Sequence, residues 1–143
     1  NGLTRRRVLG AGAAAAGLAG MPFKALAATD INYWHHFTSQ TEFAGMAEVI
    51  KLFQAANPDF TVTQENIPNA EYMAKFTSAV IANSRPDTAM VSPERLPDMV
   101  AMDGLVDVSD RVANWDKKDF YADDAWDGIN IDGKIYGVPA FSF

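Results

Sequence analysis

The chain has 143 residues, of which 48% are apolar and 21% charged, with a formal net charge of −6 and no cysteine. The apolar content suffices for a globular domain with a core, and the surplus of acid repels phosphate backbones and anionic lipid, so neither a nucleic acid nor a membrane surface is expected as a partner. The lack of cysteine excludes disulfides, a lipid anchor at a cleavage-site cysteine, thiolate metal sites, iron–sulfur clusters and cysteine nucleophiles.

The N-terminal run Thr4-Arg5-Arg6-Arg7-Val8-Leu9-Gly10 leads into a weakly hydrophobic stretch of Ala and Gly from Val8 to Met21, followed by Pro22, Lys24 and Ala25-Leu26-Ala27. These are the basic, apolar and small-residue parts of a secretory signal peptide. The run resembles the twin-arginine export signal, with Val8 where the pattern usually has Phe and Gly10 where it often has Lys. A membrane span is not expected, because the stretch is shorter than about 20 residues and rich in glycine. The expectation is a signal peptide over residues 1–27, cleavage after Ala27, and a soluble exported, periplasmic chain from Ala28. Asn1 in place of an initiator Met, and a stop at Phe143 just after a strand-like run, add the expectation of a fragment cut at both ends.

Ile31-Asn32-Tyr33-Trp34 favours a strand, and Ser39-Gln40-Thr41-Glu42 has the spacing of a capping box. A helix follows with Phe43, Met46, Ala47, Ile50, Leu52 and Phe53 on an apolar face and Glu48 and Lys51 opposite, ending at Asn57-Pro58. Phe60-Thr61-Val62-Thr63 alternates as a strand. After Pro68, Asn69 is placed to cap a helix whose Tyr72, Met73, Phe76, Val80 and Ile81 share a face. Thr88-Ala89-Met90-Val91 reads as a strand buried on both faces of a parallel sheet. Ser92-Pro93-Glu94 then opens a helix with Leu96, Met99, Val100 and Met102 inside and Gly104 just past its end. Leu105-Val106-Asp107-Val108 and a polar helix-and-loop stretch through Asp127 precede a hairpin over Ile129–Tyr136 with Asp132-Gly133 at its turn. The β-α-β-α-β-α order predicts an α/β fold with a parallel-dominated sheet flanked by helices, and ligands at the carboxyl ends of its strands. Those ends fall at His35–Gln40, Glu65–Asn69 and Ser92–Arg95.

Five segments occur in a telling order: Trp34-His35-His36-Phe37-Thr38-Ser39, Phe53–Val62, Pro86–Val91, Gly104–Val108 and Gly133-Lys134-Ile135-Tyr136-Gly137-Val138-Pro139. Together they resemble the first lobe of the sugar-type extracellular solute-binding proteins of ABC importers, the maltose-binding-protein-like group with a type II periplasmic-binding-protein-like fold. The resemblance implies a two-lobed receptor that closes by a hinge on a carbohydrate, without a cofactor, delivers it to membrane permease subunits, and is a monomer at full length. Residues 28–138 would form most of the first lobe, and residues 139–143 would start the crossover to the second, with Phe141 at the hinge and in reach of the ligand.

The same resemblance gives the loop after the first strand to the cleft, with His36, Ser39, Gln40 and Glu42 as hydrogen-bonding groups and Trp34 or Phe37 as apolar walls. Sugars suit such a set, because a pyranose offers hydroxyls to pair and a C–H face that packs on an aromatic ring. Glu42 has a competing task as the last member of the capping box. Ser92 and Glu94 lie where the third strand delivers its loop, Ser92 with the alternative of a helix cap, and Arg95 is placed to pair Glu94. No metal site is expected of His35 and His36, because neighbours on a strand point to opposite faces. Asp87 reads as a partner for loop amides, and Asp116, Asp119, Asp123, Asp124 and Asp127 as a solvated face without calcium-loop spacing. Trp115 and Trp126 read as core or lobe-surface residues. An exported redox enzyme or hydrolase using His36 and Glu42 is the competing class, weakened by the lack of a nucleophile elbow or a Gly-rich dinucleotide loop. A non-sugar ligand on the same fold, such as a polyamine, an iron chelate or an anion, is a further alternative.

Overall fold

A computed structural model describes residues 28–140. The signal peptide expected over residues 1–27 and the hinge residue Phe141 lie outside the described residues. Strand β1 (Thr29–His35) is central, flanked by β2 (Phe60–Asn66) and β3 (Thr88–Ala89), both parallel to it. The register runs from Thr29 opposite Phe60 to His35 opposite Asn66, and pairs Tyr33 with Thr88 and Trp34 with Ala89. Helices α1 (Gln40–Ala56) and α2 (Tyr72–Ile81) make the two crossovers, so the α/β expectation holds. Among the described residues no helix is long and apolar enough to cross a membrane.

The two faces of β1 differ. Trp34 joins Ile67, Tyr72, Phe76, Ala79 and Met99 in one buried cluster, built from β1, α2 and the short helix α3 (Leu96–Ala101). Tyr72 and Met99 are fully buried and Phe76 is 1% exposed, and the apolar Met99 and Phe76 each contribute roughly 1.5–3 kcal/mol through the area they remove from water. The opposite face carries Tyr33, His35 and Phe37 beneath Phe43 of α1. No residue of α1 is fully buried: Phe43, Met46 and Ile50 are half-buried, while Ala47, Leu52 and Phe53, read as part of its apolar face, are exposed.

Several boundaries differ from the sequence reading. Asn69 does not cap α2, because a turn closed by the Glu71 amide on the Pro68 carbonyl comes first and Glu71 takes the N-cap position without a side-chain bond. Ile81 is 82% exposed, since at 100° per residue it lies well round the helix from Phe76. The strand expected over Thr88–Val91 shortens to Thr88–Ala89 and is not buried on both faces. Among the described residues it has a single neighbour, and after the Met90 amide bonds the Trp34 carbonyl (2.8 Å) the chain turns at Pro93. The helix expected from Ser92 starts as a 3₁₀ turn (Pro93–Arg95), and Ser92 makes no cap bond with its hydroxyl.

Gly104 lies near the end of α3 for a reason other than a left-handed turn. Asp103 takes the positive φ (56°), and the Gly104 amide bonds the Met99 carbonyl (2.9 Å). A Cβ on Gly104 would lie 2.6 Å from Phe76 Cε1 and 2.8 Å from the Met99 carbonyl oxygen, so close approach to α2 demands glycine. Helix α4 (Ser109–Ala113) follows, and then strands β4 (Asn130–Ile131) and β5 (Lys134–Ile135) form the expected antiparallel hairpin. Asp132 (φ 53°) and Gly133 (φ 82°) supply the two positive φ values that its tight turn requires. Between them, Trp115, Tyr121 and Trp126 form a half-buried aromatic cluster with ring centroids 5.8 and 5.4 Å apart.

Candidate functional site

The carboxyl ends of the three parallel strands deliver residues 36–39, 67–71 and 90–95 to one edge of the sheet, where open α/β folds bind ligands. Hydrogen bonds hold these loops together. The Ile67 amide donates to the His35 carbonyl (2.9 Å), the Asn66 side-chain amide to the Phe37 carbonyl (2.9 Å), and Arg95 Nη2 to the Asn69 carbonyl (3.2 Å).

The adjacent histidines part, although β1 ends at His35 and His36 already lies in the loop. His35 is 1% exposed and packs between Tyr33, Phe37 and Phe43. Its Nδ1 accepts from Asn66 Nδ2 (3.2 Å) and the Phe37 amide (3.4 Å), which places the proton of the neutral ring on Nε2. Burial pushes its pKa down and favours that neutral form. His36 lies on the other face, its ring edge-on to Tyr72 at 5.5 Å and 89°, with Nε2 buried and unpartnered. With the rings on opposite faces, they cannot share one metal ion. Among the described residues no group of three or more His, Cys, Asp or Glu is placed to hold one.

Tyr72 stands at the centre of this edge. It is fully buried, its Oη has no partner, and burial raises its pKa far above the usual phenol value, so it remains an O–H donor. The Arg95 guanidinium lies 5.9 Å from the Tyr72 ring centroid, and its Nη1 is buried without a partner. Arg95 does not pair with Glu94 as the sequence suggests, because it reaches back to Asn69 instead. Ser92 is half-buried and Glu94 exposed.

Ser39 and Glu42 are engaged locally. Glu42 Oε2 accepts from the amides of Thr38 (3.0 Å) and Ser39 (2.9 Å) and from Ser39 Oγ (2.9 Å), while Ser39 Oγ accepts from the Glu42 amide (3.2 Å). These bonds, led by the Thr38 amide, hold the Glu42 carboxyl below its usual pKa. Gln40 is exposed at the first position of α1, and Phe37, 7% exposed, is packed 4.7 Å from the His35 ring. Asp87 accepts from the Asn32 amide (2.8 Å), a structural bond to β1.

The structure thus brings His36, Ser92 and Glu94 to the sheet edge on loops held to one another. It adds Tyr72 and Arg95, which sequence reasoning assigned to a helix core face and to a surface pair. The available signal was position: Tyr72 opens the helix that follows the second strand, and so stands at the edge where open α/β sheets are expected to bind ligands.

The profile of the bacterial extracellular solute-binding protein family matches residues 38–142. A binding protein of Brucella abortus (strain 2308) is 29% identical over 92 residues, which is 64% of this chain and 22% of that protein. The sugar-binding protein MalE from the phytopathogen Xanthomonas citri superposes with a TM-score of 0.68 at 29% identity, over 78% of this chain and 28% of that one. The substrate-binding protein Lmo0181 from Listeria monocytogenes, solved with cycloalternan, has a TM-score of 0.65 at 24% identity, over 77% of this chain and 28% of that one, and shares the fold. The chain therefore spans 22% of the Brucella relative and 28% of these two structures, and corresponds to part of one lobe. The profile covers most of its length, and the chain belongs to the bacterial extracellular solute-binding protein family.

Proposed function

We propose that this chain is the first-lobe part of an exported receptor that carries a mono- or oligosaccharide to the permease subunits of an ABC importer, without catalysis. Residues 1–27 would be a signal peptide of the twin-arginine type removed after Ala27, residues 28–138 the lobe, and residues 139–143, with Phe141, the crossover to a second lobe. The mature receptor would act in the periplasm as a monomer. Membership of a solute-binding family and likeness to a sugar-binding protein over 78% of the chain support the ligand class. The observation that carries the reading is the set of polar groups at the sheet edge left without protein partners, foremost the fully buried Tyr72 with its unpaired hydroxyl. Desolvated donors of this kind are satisfied by a polyhydroxylated solute.

Calorimetric titration of the full-length protein against neutral and acidic mono- and oligosaccharides tests this. One class of sugar should bind, and His36→Ala, Ser92→Ala and Glu94→Ala should each weaken it about tenfold or more, as expected when a hydrogen bond worth about 1–3 kcal/mol is lost. Failure of every sugar to bind the parent protein would refute the receptor reading, and unchanged affinity in all three variants would remove the site assignment.

A further inference from the structure

Three side chains at the sheet edge share a property that the family match does not explain. His36 Nε2, Tyr72 Oη and Arg95 Nη1 are all buried and without a partner among the described residues, and they come from three separate parts of the fold: the loop after β1, the start of α2 and the turn before α3. The His36 ring and the Arg95 guanidinium both lie against Tyr72, at 5.5 and 5.9 Å. Arg95 can only donate here, since guanidinium has no acceptor, and burial keeps the Tyr72 phenol protonated, so that it retains an O–H to donate. Arg95 uses Nη2 on the Asn69 carbonyl, and no carboxylate lies within ion-pair distance of it among the described residues. Arg95 as a whole is half-buried and its charge keeps part of its hydration, but the Nη1 atom is buried without an acceptor, and a planar carboxylate is the group its fork geometry matches.

We infer that the solute is an acidic carbohydrate, of the uronate class, whose carboxylate is held by Arg95 with the Tyr72 hydroxyl as a further donor and the His36 ring beside them. This rests on the carbohydrate-receptor reading and narrows it. A neutral sugar would meet these groups with hydroxyl oxygens but would supply no counter-charge to Arg95. Residues 28–143 carry a formal net charge of −10, since Arg5, Arg6, Arg7 and Lys24 would leave with the signal peptide, and this does not oppose such a ligand at short range, because exposed charges beyond a Debye length of about 8–10 Å are largely screened. Glu94, exposed beside Arg95, is left to accept from the sugar hydroxyls.

The test uses matched pairs on the full-length protein: glucuronate against glucose, galacturonate against galactose, mannuronate against mannose, and digalacturonate with lactose as its neutral counterpart. Calorimetry should show at least one acid bound ten times or more tighter than its neutral partner, with an affinity that falls as salt rises. Arg95→Met should abolish that preference, Arg95→Lys should restore part of it, and Tyr72→Phe, which removes only the hydroxyl, should reduce it. Melting of each unliganded variant shows whether it folds; if Arg95→Met does not, Arg95→Lys and Tyr72→Phe decide. Neutral sugars bound as tightly as their acids would overturn the inference and leave the receptor reading standing. So would a preference that survives every folded variant, the result expected if the three polar groups merely share internal water. No carbohydrate bound at all would overturn both.

Discussion

Ser39 and Glu42 lie in the loop expected to meet the solute, yet their hydrogen bonds are spent on starting α1, and a single replacement of hydroxyl by hydrogen separates the two roles. Ser39→Ala removes the Oγ bond to Glu42 Oε2 (2.9 Å) and the bond that Oγ accepts from the Glu42 amide (3.2 Å), leaving one helix-terminal amide without its cap. Loss of a serine N-cap costs about 0.5–2 kcal/mol, which lowers the melting temperature of a protein of this kind by roughly 1–8 °C. Ser39→Thr keeps the hydroxyl and should restore most of the loss. The assay is thermal melting of the unliganded full-length protein alongside calorimetric affinity for its solute. We expect Ser39→Ala to melt lower with its dissociation constant within about twofold of the parent, since a twofold change is only about 0.4 kcal/mol. An unchanged melt with affinity down tenfold would show that the hydroxyl serves the solute and refute the capping argument.

Gly104→Ala should destabilise the protein by about 1–3 kcal/mol through overpacking, because the new methyl meets both the Phe76 ring and the immobile Met99 carbonyl. In chemical denaturation, Gly104→Ala combined with Phe76→Leu should recover only part of that cost, and strict additivity would contradict the contact. For His35, the lowered folded-state pKa means that the unfolded chain binds the proton more readily. The stabilising contribution is therefore complete above the unfolded value near 6.5 and is lost as pH falls through the lowered folded value. Melting temperature should decline from pH 7 toward pH 5, and His35→Gln should flatten that decline; an equal slope in both proteins would assign it elsewhere. Replacing Arg5 and Arg6 with lysine should block export of the full-length protein, followed by N-terminal sequencing of the periplasmic product, which should otherwise begin at Ala28. Normal appearance of the double-lysine variant in the periplasm would rule out twin-arginine routing.

The crossover order, the capping box and the Asp132-Gly133 hairpin were legible because each depends on a few adjacent residues with fixed conformational demands. Gly104 was legible as punctuation but not as a contact, since the Phe76 ring that excludes a Cβ comes from another helix. The length of the third strand was not legible, because the Thr88–Val91 run is apolar whichever way the sheet extends, and its pairing depends on neighbours distant in sequence. Of the site, the edge itself was readable from strand direction, whereas the opposite orientation of His35 and His36 agrees with alternation only by carrying it one residue past the end of β1. Tyr72 and Arg95 were missed for a physical reason: an aromatic on a helical stripe and an arginine beside a glutamate each have an ordinary explanation. Only the tertiary arrangement reveals that Tyr72 Oη lacks a partner and that Arg95 turns away from Glu94.

The asymmetry of the two sheet faces bears on how such a site would work. The unpartnered donors stand on the densely packed side: Tyr72 belongs to the same buried cluster as Trp34, Phe76 and Met99, and Arg95 immediately precedes Leu96, itself 3% exposed. Their backbones are fixed by burial before any ligand arrives, and the Asn69 carbonyl fixes one end of the Arg95 fork. A ligand group that meets these donors therefore orders few side chains on binding, and less of the interaction is lost to conformational entropy. The lightly covered α1 face, with Val49, Leu52 and Phe53 exposed, offers no comparable support. Recognition is accordingly expected to tolerate substitutions along exposed α1 and to fail when the packing beneath Tyr72 is loosened. Met99→Ala should thus reduce both stability, by about 2–5 kcal/mol for a truncated buried methionine, and solute affinity, whereas Leu52→Ala should change neither beyond measurement error. Equal effects of the two substitutions on affinity in calorimetry would show that the packed face does not preorganise the site.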